Sequence, residues 1–346
     1  MNVNISVYEA RLRAPWVSSR DSVSVRPLIV LGLEGADGVA GFGEAAPLAG
    51  YGGVSAGDVL AALAECRGVL EGADGVAHAD VLARCAEVTV LPQALAAVDL
   101  ALWDLEGRRA GEPVWRLLGA SDPEPVAVNW TIASADRAGA AAEASNARER
   151  GFETVKVKVG IGDDAGRLAA VRAAAGLGRA IRIDANGAWS PAEARAHLRV
   201  LEPAGIELCE EPVRGREAIR ALSAQTPIPL ALDESAADPG ALDRQVCALA
   251  CLKISSCGGL TGLLSAAARA RAAGYEVYLA STLDGPLGIA AALHAAAVLS
   301  PTRACGLATL ALFSGRTDPL PAAGGALEVP HAPGLGEGLL AWYGSR

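Results

Sequence analysis

From Val126 onward the chain consists of short, unbroken apolar runs separated by alanine-rich stretches of helical spacing, and few folds accept that pattern. The runs are VAVNWTI, TVKVKVG, AIRIDA, GIELCEE, IPLALDE, LACLKIS, EVYLAST and ACGLA. Continuous rather than alternating apolar character suits strands buried on both faces of a parallel sheet. Eight such runs, spaced by roughly 20 to 30 residues with a helical pattern between them, predict an α/β fold. The expected architecture is a (β/α)8, TIM-like barrel, whose site lies at the C-terminal ends of its strands.

The residues before this region follow a different pattern. Asn4–Leu12, Val23–Leu33 and Ala40–Glu44 alternate like antiparallel strands, the last two joined through Glu34-Gly35-Ala36-Asp37-Gly38. Helical spacing follows over Ser55–Leu70, Ala77–Cys85 and, most clearly, Leu95–Leu105. We therefore expect an N-terminal α+β capping domain over residues 1–92 and the barrel over 93–315. A Gly- and Pro-rich segment, 316–346, is expected to return to the capping domain.

Three acidic residues stand at the ends of successive barrel runs: Asp184 in IRIDANG, Glu210 in IELCEEP and Asp233 in IPLALDES. Hard oxygen donors delivered from neighbouring strands describe a Mg²⁺ site, since Mg²⁺ takes a few carboxylates and leaves its other positions to water or substrate. Lysines flank them, with Lys156 and Lys158 in TVKVKVG upstream and Lys253 in LKISS downstream. Lys156 and Lys158 share a strand parity and so point to one face, where burial and neighbouring positive charge would lower their pKa values. A neutral lysine can act as a base. Lys253, about four strands away, lies across the ring from Lys158 and serves as a second acid/base or as a fixed cation. The chemistry this order fits is removal of a proton beside a carboxylate, with the metal holding the resulting enediolate.

Asn186, Glu211 and Glu234 adjoin these ligands and are expected to orient them. Asp284, ending the seventh run beside a Gly-Pro turn, is expected to face substrate. None of the four histidines ends a barrel strand, and neither a nucleophile elbow nor a phosphate-binding glycine loop is present.

Composition excludes other classes. A net charge of −9 without a basic cluster argues against nucleic acid or an anionic membrane as partner. No uncharged apolar run reaches the roughly 18 residues of a membrane span. Seven scattered cysteines without CxxC pairs indicate reduced thiols. The start MNVNISVYEARLRAP lacks the character of a secretory signal, so a cytoplasmic location is expected. The ligand class left is a small-molecule carboxylate.

The VKVKVG, DANGAW, CEEP, ALDES and LKIS segments, in this order, resemble the enolase superfamily and specifically its muconate lactonizing enzyme branch. GFGEAAPLAGYGG and AAVDLALWDLEGRRAGEPVWRLLG extend the resemblance over almost the whole chain. It implies Mg²⁺, with Mn²⁺ as a substitute ion, on Asp184, Glu210 and Asp233. Lys158 and Lys253 would flank the substrate, with Lys156 supporting Lys158. Capping loops near Trp16–Arg20 and Leu48–Gly53 would close the site and set specificity, placing Trp16, Arg20 and Tyr51 against substrate. A homo-oligomer is also implied.

Within that branch, ACGLATLALFSG resembles o-succinylbenzoate synthases, which dehydrate a cyclohexadiene carboxylate in menaquinone synthesis. Dipeptide epimerases of the branch carry Asp-x-Asp there to bind an ammonium group; here Gly306 and Ala308 stand in those places. Dehydration is thus the expected reaction, with dipeptide or N-acylamino acid epimerisation and muconate cycloisomerisation as alternatives. A catalytically silent barrel used for binding is the non-enzyme alternative.

Overall fold

The computed structural model describes residues 1–18 and 22–344. The first three strands, β1 (Asn2–Val17), β2 (Ser22–Glu34) and β3 (Ala40–Ala45), form an antiparallel sheet in the order β1-β2-β3. Strand β1 runs past the expected Leu12, and its pairing with β2 is irregular between Arg11 and Trp16. Four helices follow: α1 (Ala49–Gly52), α2 (Ala56–Glu71), α3 (His78–Val88) and α4 (Pro92–Ala110). Ser55 starts α2 with a capping box, its hydroxyl accepting from the Asp58 amide at 3.2 Å.

Helix α4 begins at Pro92, earlier than its apolar periodicity, and packs on β3. The reason is local. A side chain at Gly43 would collide with the Ala97 carbonyl oxygen, and one at Gly41 with the Ala101 carbonyl oxygen. Only glycine at both positions lets the helix backbone lie directly on the strand. The same helix also meets the short helix Ile254–Cys257 that follows Lys253.

The barrel strands are β5 (Trp130–Ile132), β6 (Thr154–Lys158), β7 (Ala180–Asp184), β8 (Ile206–Glu210), β9 (Leu230–Leu232), β10 (Leu249–Leu252) and β11 (Glu276–Leu279). They pair in parallel in chain order. The eighth run, ACGLA, forms two bridges rather than a continuous strand: Ala280 with Gly306, and Val128 with Cys305. These bridges join the two edges of the curled sheet and close it. The run VAVNWTI is divided. Its first residues form β4 (Val126–Ala127), paired antiparallel with β12 (Ala326–Leu327) of the returning C-terminal segment, and only its end enters the barrel.

Side-chain parity sorts the core. Val155, Val157, Ile181 and Ile183 belong to the main core between strands and helices. Leu208, Ala231, Leu249, Cys251 and Tyr278 form a separate cluster in the barrel lumen. Glu210, Asp233 and Lys253 lie two residues beyond Leu208, Ala231 and Cys251, so strand parity aims them inward too. The C-terminal segment also touches the N-terminal sheet: Arg316 donates to the Glu9 carbonyl at 3.0 Å, and the Tyr343 and Tyr8 rings lie 5.4 Å apart. Among the described residues no helix is long and apolar enough to cross a membrane.

Candidate active site

Lys158, Asp184 and Glu210 stand at one level across three neighbouring strands, paired Lys158 with Asp184 and Asp184 with Glu210. Asp233 follows the next strand. One carboxylate oxygen from each of Asp184, Glu210 and Asp233 lies within 4.8 Å of the others, and all three residues are buried. Three hard oxygen donors converging on one point fit an octahedral Mg²⁺ ion.

Each carboxylate is held by a lysine. Lys158 Nζ donates to Asp184 Oδ2 at 2.6 Å and to Asn186 Oδ1 at 2.9 Å. Lys156 Nζ lies 3.0 Å from Asp184 Oδ2 and donates to Glu210 Oε2. Lys253 Nζ donates to Asp233 Oδ1 and, at 2.7 Å, to the hydroxyl of Tyr51. Three buried carboxylates are thus matched by three buried ammonium groups, which is how so much charge is tolerated away from water.

The electrostatics follow from these pairs. Burial opposes ionisation of Asp184, but Lys156 and Lys158 outweigh it and hold its carboxyl below the usual range. Burial likewise works against the ammonium groups of Lys156 and Lys253, yet both pKa values are raised. Asp184 and Glu210 outweigh burial for Lys156, and Asp233 does so for Lys253. This reverses the direction expected from sequence for Lys156. Burial and like charge were anticipated there, whereas carboxylates at hydrogen-bonding distance dominate.

The surrounding groups orient this centre. Asn186 sits at φ 49°, its amide donating to Asp184 Oδ1 at 2.9 Å and its Nδ2 to Glu234 Oε1 at 3.0 Å. Glu211, at φ 36°, accepts from the backbone of Asp233 at 2.8 Å and from Ser235. Burial pushes Glu211 up to about 7; burial and then Asp233 push Glu234 up to about 6.

A cleft of about 780 Å³ opens over the centre, lined by Lys156, Lys158, Asp184, Asp233 and Lys253 below and by Trp16, Leu48 and Tyr51 from the N-terminal sheet and α1. The Trp16 ring lies 5.7 Å from Lys158 Nζ and the Tyr51 ring 3.9 Å from Lys253 Nζ. Arg20 lies outside the described residues. Asp284 is 2 % exposed and is not among the residues lining the cleft. Its Oδ1 accepts from Thr282, and Arg26 and Glu44 lie close enough to influence its charge. Its neighbours Ser281, Thr282 and Leu283 line the cleft instead, with Leu283 at φ 61°. Sequence reading passed over these three, although they end a barrel run as the ligands do. His294 is buried and bridges the Trp115 amide and the Leu335 carbonyl, remote from this centre.

A closed parallel barrel with an acidic residue at three consecutive strand ends, lysines on either side and a capping sheet above defines the class: the enolase superfamily. The Enolase C-terminal domain-like family matches residues 139–340, and the Mandelate racemase / muconate lactonizing enzyme, N-terminal domain family matches residues 2–119. The chain belongs to the mandelate racemase/muconate lactonizing enzyme family.

Similar proteins include epimerases, cycloisomerases and a racemase. A D-Ala-D/L-Ala epimerase of Cytophaga hutchinsonii is 33 % identical over 255 residues, 70 % of this chain and 69 % of its own. Muconate cycloisomerase 1 of Rhodococcus opacus is 31 % identical over 97 % of this chain and 95 % of its own. Among solved structures, the Cytophaga hutchinsonii dipeptide epimerase with Mg and D-Ala-L-Val superposes with a TM-score of 0.89 at 27 % identity, covering 98 % of this chain and 97 % of the other. The Pseudomonas fluorescens muconate lactonizing enzyme with muconolactone gives 0.89 at 28 % identity, covering 100 % and 98 %. Together with the acidic triad, these relatives support Mg²⁺-dependent proton abstraction by an enzyme. Being epimerases and cycloisomerases, they give no specific support to dehydration or to a place in menaquinone synthesis.

Proposed function

We propose that the chain is a Mg²⁺-dependent isomerase that removes and returns the proton alpha to the carboxylate of an N-acylated amino acid or a similarly capped compound. The observation that carries this reading is the placement of Lys158 and Lys253 in one cleft, Lys158 at the end of β6 and Lys253 directly after β10, with the acidic triad between them in the strand order.

Asp184, Glu210 and Asp233 would hold the cation. When bound, it would neutralise the substrate carboxylate and the charge that develops there, and its own charge would disfavour nearby ammonium groups. Lys158, neutral, takes the alpha proton on its face. Lys253, as an ammonium, delivers a proton to the opposite face, and the roles exchange for the other enantiomer. Lys156 stays charged between Asp184 and Glu210 and fixes their orientation. Asn186 and Glu211 hold the strand-end loops, while Trp16 and Tyr51 cover the reacting carbon and exclude water.

The far end of the cleft supports a capped amine. Gly306 and Thr309 line it, and the intervening residues carry no carboxylate to pair with a free ammonium group. Dehydration is a second reading, favoured by the Ala304–Gly315 segment and by needing only one base. On the same ground of resemblance we propose a homo-oligomer, which light scattering would test.

The test is proton NMR in D₂O with Mg²⁺ on a panel of N-acylamino acids, dipeptides, muconate and the cyclohexadiene carboxylate precursor. Alpha deuteration and loss of optical activity in the N-acylamino acids are expected. Water loss or lactone formation without such exchange would replace this reading.

A further inference from the structure

The strand ends across the ring from the acidic triad carry hydroxyls instead of charges. Counted round the barrel, Lys158 ends the second strand and Lys253 follows the sixth, the triad stands at the ends of the third to fifth, and Ser281 and Thr309 follow the seventh and the eighth run. A carboxylate anchored at the triad, with its alpha carbon between the lysines, sends a substituent of that carbon toward Ser281 and Thr309. Both residues line the cleft.

Backbone pairing brings the two hydroxyls together. Ala280 bridges Gly306, and the Ser281 amide donates to the Gly306 carbonyl at 3.1 Å. A Cβ at Gly306 would lie 3.1 Å from that of Ala280, so glycine lets the eighth run sit this close. Thr309 Oγ1 then lies 2.8 Å from Ser281 Oγ, which also accepts from the Leu283 amide at 3.3 Å.

Proton counting gives this pair a fixed capacity. Each hydroxyl carries one proton, and the bond between them uses one of the two. If Ser281 donates, the Thr309 proton is left over; if Thr309 donates, the Ser281 proton is. Among the described residues neither hydroxyl donates to any other group. Whichever way the bond runs, one O–H remains for the cleft, and the adjoining Ala280 and Gly306 bring no charge. A lone neutral donor suits a neutral acceptor, because an anionic group facing it alone would keep most of its desolvation cost.

We propose that the Ser281–Thr309 pair donates one shared hydrogen bond to a carbonyl oxygen on the substrate's alpha substituent, the amide carbonyl of an acyl cap, and that either residue can be the donor. The proposal rests on the capped substrate proposed above. The pair is a specificity device: it holds the cap and moves no proton at the alpha carbon.

Calorimetric titration of the full chain with Mg²⁺ tests it, using N-acetyl-L-leucine and N-thioacetyl-L-leucine, which differ only in that sulfur, a weak acceptor, replaces the carbonyl oxygen. The acetyl probe is expected to bind about 5-fold tighter or more, because a donor left poorly paired penalises the thioacetyl probe. Ser281→Ala frees the Thr309 proton and Thr309→Val frees that of Ser281, so each single variant should keep the preference, with affinity within about 3-fold of wild type. The double variant should lose the preference and bind the acetyl probe about 10-fold more weakly. Equal or tighter binding of the thioacetyl probe to wild type, a preference lost in either single variant or surviving in the double, or no binding of either probe would overturn the proposal. So would its loss in Thr131→Val, since Thr131 is the cleft hydroxyl on the neighbouring first strand. Alpha-proton exchange is followed in D₂O on the acetyl probe. Preference without exchange would sink the proposed reaction and leave the pair; exchange without preference would sink the pair alone.

Discussion

The hydroxyl of Tyr51 accepts a 2.7 Å hydrogen bond from Lys253 Nζ, and it donates to Asp233 Oδ1 at 3.0 Å, so a residue of the N-terminal unit is tied at once to a lysine and to a carboxylate of the barrel. The ring lies 3.9 Å from the same nitrogen. Tyr51→Phe keeps the ring and removes both hydrogen bonds. Bonds of this charged kind contribute about 1.5–3 kcal/mol, so kcat is expected to fall about 10- to 100-fold with the fold intact. Steady-state kinetics beside circular dichroism checks this.

Lys158 and Lys253 are expected to serve opposite enantiomers. Lys158→Met and Lys253→Met should each lose racemisation by about 10³-fold or more, as expected when a group acting as base or acid is removed. Each variant should still exchange the alpha proton of one enantiomer in D₂O, on the face of the surviving lysine. Loss of exchange from both enantiomers in both variants would remove the two-base division.

Asp233→Asn tests the triad. Added Mg²⁺ is expected to raise the thermal midpoint of the wild-type protein, because a ligand that binds only the folded state stabilises it. The variant should lose that response. It also leaves Lys253 without its ion-pair partner, a change that costs about 3–5 kcal/mol for a buried pair. Denaturant unfolding without metal should show this loss, and Lys253→Met in the Asp233→Asn background should recover part of it.

Glu44 supplies a pH signature remote from the triad. Its carboxylate accepts from the Gly285 amide at 2.7 Å and from the Tyr343 hydroxyl, and burial followed by repulsion from Asp284 pushes its pKa up from 4.5 to about 8. A raised folded-state pKa means that this group's stabilising effect is complete below about pH 4.5 and is lost as pH rises through 8. Glu44→Gln does not titrate. Its stability relative to wild type should therefore increase between pH 5 and 8, by about 3–4 kcal/mol in urea unfolding.

Much of this was readable along the chain because the barrel repeats its own grammar. A continuous apolar run marks a strand buried on both faces, and the polar residue that interrupts it at the end marks the level of the site. Asp184, Glu210, Asp233 and Lys253 each carry that mark, and Lys156 and Lys158 carry the parity that turns them inward. Ser281, Thr282 and Leu283 end a run in the same way, but small or apolar side chains stand out less than charges. Glu44 had no such mark. It matters because of what packs against it from segments far away in sequence.

Local pattern alone determined the period of the strands, the parity of their side chains and hence the identity of the inward-facing charges, because these properties depend only on near neighbours along the backbone. Tertiary structure decided the rest. The eighth run became two bridges, because closing the ring requires only that Cys305 and Gly306 meet the edges at Val128 and Ala280. The raised pKa values of Lys156 and Lys253 depend on carboxylates brought from other strands, at distances no spacing encodes. Asp284 lies outside the cleft lining, where hydrogen bonds from Thr282 and the nearby Arg26 charge offset part of the cost of burying it. Electrostatics and cavity shape are sums over neighbours in space, and the fold alone assembles those neighbours.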